Sequence, residues 1–219
     1  RSLVDVARQR EPASVERQRD RIVAAASAVM ARDGLQATRL RQVAKEAGLS
    51  TGSILYYFTG FDEVLVAAVR AVGDEYCTAR QERIDAVPNA TSALLALIEL
   101  GLPDVLGDAV RVVYQASSLI ALHPEVVPVL AETNERQLEL YAHVIERGAN
   151  DGEFRPTADS RVIARTALAL EDAFTLYLLS GYGVDAASAR AHIRGYLSGV
   201  LTLDEHTDFA RRPTRPVGR

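Results

Sequence analysis

The residues best suited to chemistry in this chain fall in two groups, and the first is a short run at Thr51, Gly52, Ser53, Tyr56 and Tyr57. Serine and threonine hydroxyls bond base edges or phosphates, a threonine methyl can meet a thymine methyl, and tyrosine hydroxyls reach phosphate oxygens. Small hydroxylic and aromatic residues on one side of a helix therefore suit close approach to a DNA major groove. Tyrosines half-buried in an interface within a plain helix pair are the structural alternative. The second group interrupts apolar helices: Tyr76 and Cys77; Tyr114, Gln115 and Ser118; Asn134 and Tyr141; Glu171, Phe174 and Tyr177. A cavity with a few polar groups and aromatics is the usual composition of a small-molecule site. Glu171, beside Asp172 in an otherwise apolar helix, is the sharpest of these. A carboxylate near tyrosines can hold a cationic or amine ligand, or it can pair with Arg165 or Arg161 across an interface.

Other chemistries lack their residues. His123, His143, His192 and His206 show no metal-ligand spacing, and no HExxH, Walker loop, Gly-rich dinucleotide turn or GxSxG elbow occurs. No enzyme, metal or cofactor is expected. Cys77, the only cysteine, lies beside Tyr76 with acidic neighbours Asp74 and Glu75, and no basic partner is expected to lower its pKa, which disfavours a redox sensor.

The elements that must position these groups are helical almost throughout. Ile22, Ala25, Ala26 and Val29, and later Leu94, Leu95, Leu97 and Ile98, recur at helical spacing. Breaks at Gly34, Gly48, Gly60, Pro88, Gly101 to Pro103, Gly107, Pro124, Gly148 to Pro156 and Gly181 to Gly183 predict about nine helices. The predicted spans are 14–32, 39–46, 50–57, 61–85, 89–100, 108–121, 124–149, 159–179 and 185–203. The fold class is all-α. In the helix pair between Thr38 and Phe58, Thr38 is placed to cap the first short helix, and Leu40, Val43 and Ala44 face the core. Gly48 ends that helix, Ser50 caps the second, and Ile54 and Phe58 lock it in place. This is the size of a helix-turn-helix unit.

Of the 219 residues, 48% are apolar and 25% charged, enough for a sizeable core and too apolar for a disordered chain. No window approaches the roughly 20 apolar residues of a membrane helix, so no membrane partner is expected, and the cytoplasm is the expected compartment. Residues 1–60 hold ten Lys+Arg against six Asp+Glu, while the remainder hold fifteen against twenty-three. A basic N-terminal segment on an acidic body fits a DNA-reading head, or a solvated face with a chance excess of arginine.

The run from Val43 to Phe58 (VAKEAGLSTGSILYYF) resembles the DNA-binding head of the TetR family of transcriptional regulators. The preceding Arg21–Ala26 and Asp33-Gly34 are similar to that family's first helix. The segment Ala169–Phe174 resembles the body of the BetI-like branch. The resemblance implies an N-terminal three-helix head over residues 14–60, with the motif at 39–58. An effector-binding and dimerisation bundle would occupy 61–203, with tails at 1–13 and 204–219. It implies a homodimer that docks two heads on a palindromic double-stranded operator and is released by a small molecule. A DNA-binding activator or architectural protein without an effector is the alternative.

By the same resemblance Thr51, Gly52 and Ser53 contact bases and nearby phosphates, Tyr56 and Tyr57 phosphate or bases, and Thr38 and Arg39 the DNA backbone. Arg41 sits where some members read a base; it would bind guanine bidentately or simply bond a phosphate. Leu55 and Phe61 stand where the family commonly has tyrosine and lysine, which lowers nonspecific affinity, although Arg17, Arg21 and Lys45 remain available. The last two helices, through Ala164, Leu168, Ile193, Tyr196, Leu197 and Val200, would pair with their counterparts in the dimer.

Overall fold

The computed structural model describes residues 12–202. The tails expected at 1–13 and 204–219, with His206, fall outside them, except that Pro12 and Ala13 already belong to the first helix. Among the described residues there are nine α-helices, two short 3-10 turns and no strand. The helices are α1 (Pro12–Asp33), α2 (Leu40–Glu46), α3 (Thr51–Tyr57), α4 (Phe61–Asp85), α5 (Ala90–Gly101), α6 (Asp108–Ser118), α7 (Val127–Asn150), α8 (Ser160–Ser180) and α9 (Ala186–Leu201). The turns are Leu35–Ala37 and Pro124–Val126.

Local chemistry sets most of the boundaries. Ser50, Asn89, Asp159 and Asp185 each accept a backbone N–H from the first turn that follows, so α3, α5, α8 and α9 begin where a side chain satisfies an orphan donor. Gly181 closes α8 at φ 68°, a left-handed conformation that costs glycine little. Two expectations are corrected. Thr38 does not cap α2: Arg39 holds the N-cap position without a side-chain bond, and the Thr38 hydroxyl donates back to the Gly34 carbonyl at 2.8 Å. The sixth helix stops at Ser118, and the seventh starts at Val127 because Pro124–Val126, expected as its first turn, is a 3-10 turn instead.

The helices form two compact units, and the division is not at residue 60. The first comprises the described residues through Gly73 together with Asp108–Leu130. Ile22, Met30, Val43, Ile54, Phe58 and Leu65 share its core with Val112 and Ala116 of α6. The Gln115 carboxamide of that helix accepts the Leu35 N–H at 2.8 Å. Thus α6 and the start of α4, expected in the body, complete the head. The second unit comprises Asp74–Gly107 and the described residues from Ala131 onward. Leu94, Leu97, Tyr141, Ile145, Ile163 and Leu197 are fully or almost fully buried in its core. Glu153 accepts the Ala90 and Thr91 N–H groups and the Thr91 hydroxyl, which anchors the start of α5 with a carboxylate at the positive end of the helix.

Candidate functional site

In the head, α3 exposes one side and buries the other. Ile54, Tyr57 and Phe58 enter the core, whereas Thr51, Gly52, Leu55 and Tyr56 are exposed, Tyr56 at 72%. Ser50 Oγ accepts the Ser53 N–H at 3.0 Å and lies 2.8 Å from the Ser53 hydroxyl, which fixes the first turn of α3. Gly48 holds the elbow at φ 64°, and a Cβ there would lie 3.0 Å from an Arg21 guanidinium nitrogen. Gly52 is different. A Cβ at that position would meet nothing closer than Ser50 Oγ at 3.8 Å, an ordinary contact. Glycine inside a helix costs roughly 0.5–1 kcal/mol relative to alanine, and nothing inside the protein requires it here. The exposed Arg41 and Lys45 lie one turn apart on α2, so the head presents positive charge as well as hydroxyls.

Arg19, not singled out from the sequence, holds this surface rigid. Its guanidinium donates to the Tyr57 carbonyl and, at 2.9 Å, to Glu63, and its carbon sits 4.0 Å from the centre of the Phe58 ring. One cation thus ties α1 to the end of α3 and the first turn of α4. Glu63 also accepts the Thr59 N–H and hydroxyl. The amide bond and the Arg19 bond hold its carboxyl below the usual range against the opposing effect of burial.

In the second unit, α4, α7 and α8 bring Tyr76, Arg80, Gln137, Tyr141 and Glu171 together. Arg80 Nη1 and Nη2 bond the two Glu171 oxygens at 2.7 and 3.0 Å, with both side chains almost fully buried. The Tyr141 hydroxyl donates to the second Glu171 oxygen at 2.7 Å. Arg80 also bonds the Tyr76 hydroxyl and Gln137 Oε1, each at 2.9 Å, and the Leu97 carbonyl at 3.1 Å. Its guanidinium carbon lies 5.2 and 5.4 Å from the centres of the Tyr76 and Tyr141 rings. Burial raises both tyrosine pKa values and so keeps the phenols protonated as donors; it opposes the Arg80 charge too, but Glu171 outweighs it. Gly101 makes the space, since a Cβ there would lie 2.1 Å from the Glu171 carboxyl carbon.

Residues 22–68 match the family described as bacterial regulatory proteins, tetR family, and residues 90–202 match the BetI-type transcriptional repressor, C-terminal. A regulator from Chromohalobacter salexigens named HTH-type transcriptional regulator BetI 2 is 30% identical over 84% of this chain and 88% of its own length. The chain belongs to the TetR family. The HTH-type transcriptional repressor KstR2 of Mycobacterium tuberculosis is 26% identical over 69% of the chain and 76% of its own length. A transcriptional regulator from Saccharomonospora viridis, solved in complex with choline, superposes with a TM-score of 0.74 at 26% identity over 84% of this chain and 96% of that one. The chain is a DNA-binding transcriptional regulator with a TetR head and a BetI-type C-terminal region.

Within that TetR architecture the expected site residues separate. Arg39, Arg41, Lys45, Thr51, Gly52, Ser53 and Tyr56 line the accessible side of α2 and α3. Thr38 is fully buried and Tyr57 is 8% exposed in the core, where it supports Tyr56 edge-on at 5.0 Å, so neither side chain shares the open face expected for it. Arg39 is partly engaged, bonding the Gln36 and Thr38 carbonyls. Of the ligand candidates, Tyr76, Tyr141 and Glu171 converge. Tyr114, Gln115 and Ser118 lie on α6, which packs in the head unit. Asn134 is half-buried on α7. Phe174 and Tyr177 form an edge-on pair 6.0 Å apart, and Phe174 also contacts His192. Glu171 pairs with Arg80 and not with Arg161 or Arg165, which bind Glu135 and Glu139 at the surface. Cys77 is buried beside a groove of about 500 Å³ that includes Arg136, Glu139 and His143. Burial raises its thiol pKa although Arg136 on α7 and Arg80, three residues further along α4, act the other way, so the thiol does have basic groups near it.

Four of the six expected dimer residues are corrected. Ala164, Leu168, Ile193 and Leu197 are buried within the chain, because α8 and α9 turn their most apolar faces onto each other and onto α5 and α7. Tyr196 and Val200 are half-buried. The outward faces carry Ala169, Leu176 and Tyr177 on α8 and Gly195 and Gly199 on α9. One group escaped the sequence pattern: Asp62, His123 and Glu125 place ligand-type atoms within 4.8 Å of one another at the head surface, with His123 Nδ1 2.9 Å from Asp62.

Proposed function

We propose that this regulator is a homodimeric repressor that holds a palindromic operator through two α3 helices and releases it when a small molecule binds the second unit. Gly52 carries the DNA part of the reading: an exposed helical glycine with room for a side chain is spared only for something that approaches from outside. Arg41 reads a guanine or a phosphate, and Thr51, Ser53 and Tyr56 contact adjacent base edges and phosphates. Lys45 and Arg39 add phosphate contacts from α2. The Thr38 and Tyr57 side chains act by supporting this surface from beneath. Operation in the cytoplasm, where the operator lies, follows from the same reading.

The exposed apolar and small residues of α8 and α9 support dimerisation. Leu176 is 50% exposed, Tyr177 39%, and Cβ atoms at Gly195 and Gly199 would meet nothing within 4 Å among the described residues, so another helix can approach closely there. Effector control is supported by the buried polar cluster. A body built for stability alone gains little from a buried ion pair, which apolar residues of similar size often match or exceed. Helix α4 carries Leu65 in the head core and Tyr76 and Arg80 in the cluster, so a rearrangement around Arg80 displaces a helix on which the head depends.

The test is fluorescence anisotropy of the purified protein on labelled DNA from upstream of its own gene, with random DNA as control. Two chains bound per palindrome, with affinity that falls on adding an effector, is the expected result. Equal weak binding to both DNAs overturns the repressor reading.

A further inference from the structure

We infer that Tyr76, Tyr141 and Glu171 form a cation-binding cage that this chain fills with its own Arg80, which makes Arg80 the residue that denies the cage to small alkylammonium effectors. The inference deepens the effector reading above and rests on it for its regulatory meaning. The cage itself stands on geometry. Two aromatic rings within about 6 Å and a desolvated carboxylate are the groups that recognise guanidinium and quaternary ammonium ions. Here both ring centres lie within 5.4 Å of the guanidinium carbon, and the carboxylate is bidentate to it. Tyr141 holds that carboxylate from the opposite side, and Gly101 leaves it the space in which to sit.

Arginine fills the cage incompletely. Its terminal nitrogens bond Glu171, Tyr76, Gln137 and Leu97, but the buried Nε–H has no hydrogen-bond partner among the described residues. A buried donor left unpaired is an uncommon loss, and it marks the guanidinium head as the part that fits while the arm serves as a tether. A tethered cation competes at a high effective concentration, so a free cation cannot displace it without leaving Arg80 buried and uncompensated. Choline, the molecule solved in complex with the Saccharomonospora viridis relative, is an organic cation of the class such a cage would take. Removal of the arginine side chain then opens a cavity whose walls prefer a small organic cation.

The experiment measures the melting temperature of the full chain as wild type, Glu171→Gln, Arg80→Ala, and Arg80→Ala/Glu171→Gln, each with methylguanidinium, choline, tetramethylammonium or sodium as the chloride. The wild type is expected to respond equally to all four. Arg80→Ala is expected to melt lower than wild type and to recover about 5 °C or more with saturating methylguanidinium or choline, but not with sodium. The double variant is expected to lose that recovery, since the attracting carboxylate is gone. If Arg80→Ala does not fold alone, refolding in methylguanidinium restores folded protein and refolding in sodium does not. An Arg80→Ala chain indifferent to every organic cation overturns the inference. So does a wild type stabilised by choline whose response Glu171→Gln abolishes. Operator anisotropy on the same samples keeps the two readings apart: absent operator binding defeats the repressor reading, whereas cation recovery reports on the cage whether or not DNA binds.

Discussion

Gly101→Ala tests the buried cluster with one methyl group. Gly101 ends α5, is buried, and has an ordinary helical backbone, so alanine meets no backbone strain. Its Cβ would lie 2.1, 2.2 and 2.5 Å from the carboxyl carbon and two oxygens of Glu171. Carbon atoms rest at about 3.5 Å or more, so the carboxylate must retreat by roughly 1.4 Å. That motion stretches the Arg80 bonds of 2.7 and 3.0 Å beyond hydrogen-bonding range. Disruption of a buried pair costs about 3–5 kcal/mol, and alanine in a helix returns at most about 1 kcal/mol. A net loss of about 2–4 kcal/mol follows, a fall of about 4–16 °C in melting temperature for a chain of this size. Urea titration followed by circular dichroism measures it. The double cycle with Glu171→Ala sharpens the test: once the carboxylate is gone, Gly101→Ala should cost nothing or stabilise slightly. An equal cost in both backgrounds, or a stabilised single variant, would refute the steric account.

Three further outcomes follow from the same structure. Tyr56→Ala should weaken operator binding by about tenfold or more with little change in melting temperature, whereas Tyr57→Ala should destabilise the protein by about 3 kcal/mol, because the two neighbours point in opposite directions; similar stability for both would contradict the placement. Glu63→Gln should cost about 0.5–1 kcal/mol, a figure held low because the carboxylate is about a third exposed. The folded pKa of Glu63 is depressed, so its contribution is full above the unfolded value of about 4.3 and is lost as pH falls through the folded value. Wild type and variant should therefore converge below about pH 4, and a gap that widens on acidification sinks the assignment. Gly199→Leu should leave the single chain folded and produce monomers in sedimentation equilibrium; an unaltered dimer places the interface elsewhere.

Helix spans and the head were legible because their causes are local. The Ser50 cap, the Gly48 elbow and the 3.6-residue period act over a few residues, and each left its mark in sequence. Facing is a finer property than periodicity. Tyr56 and Tyr57 are adjacent and chemically alike, and only the position of Ile54 relative to the core decides which one is exposed. The dimer residues were misplaced for a related reason. An apolar stripe marks a face that leaves water but not what covers it, so the most apolar positions of α8 and α9 went to the chain's own core. The thinner pattern of Ala169, Gly195 and Gly199 remained outside.

Glu171 shows where local reading stops. The sequence marked a carboxylate in an apolar helix as anomalous, and correctly so, since such a charge must find a partner. The partner lies 91 residues earlier, on α4. Within that helix Arg80 is one of several arginines, with Arg70 and Arg83 close by in sequence, and only Tyr76 one turn before it hints at burial. What separates Arg80 from its neighbours is the convergence of α4, α7 and α8 on one point, together with a glycine on α5 that leaves the space. Charge compensation is required by physics, but its address is set by packing. That distinction reverses the expected chemistry of the site: the carboxylate expected to wait for a cationic ligand already holds a cation, and any ligand of that class must first contend with Arg80.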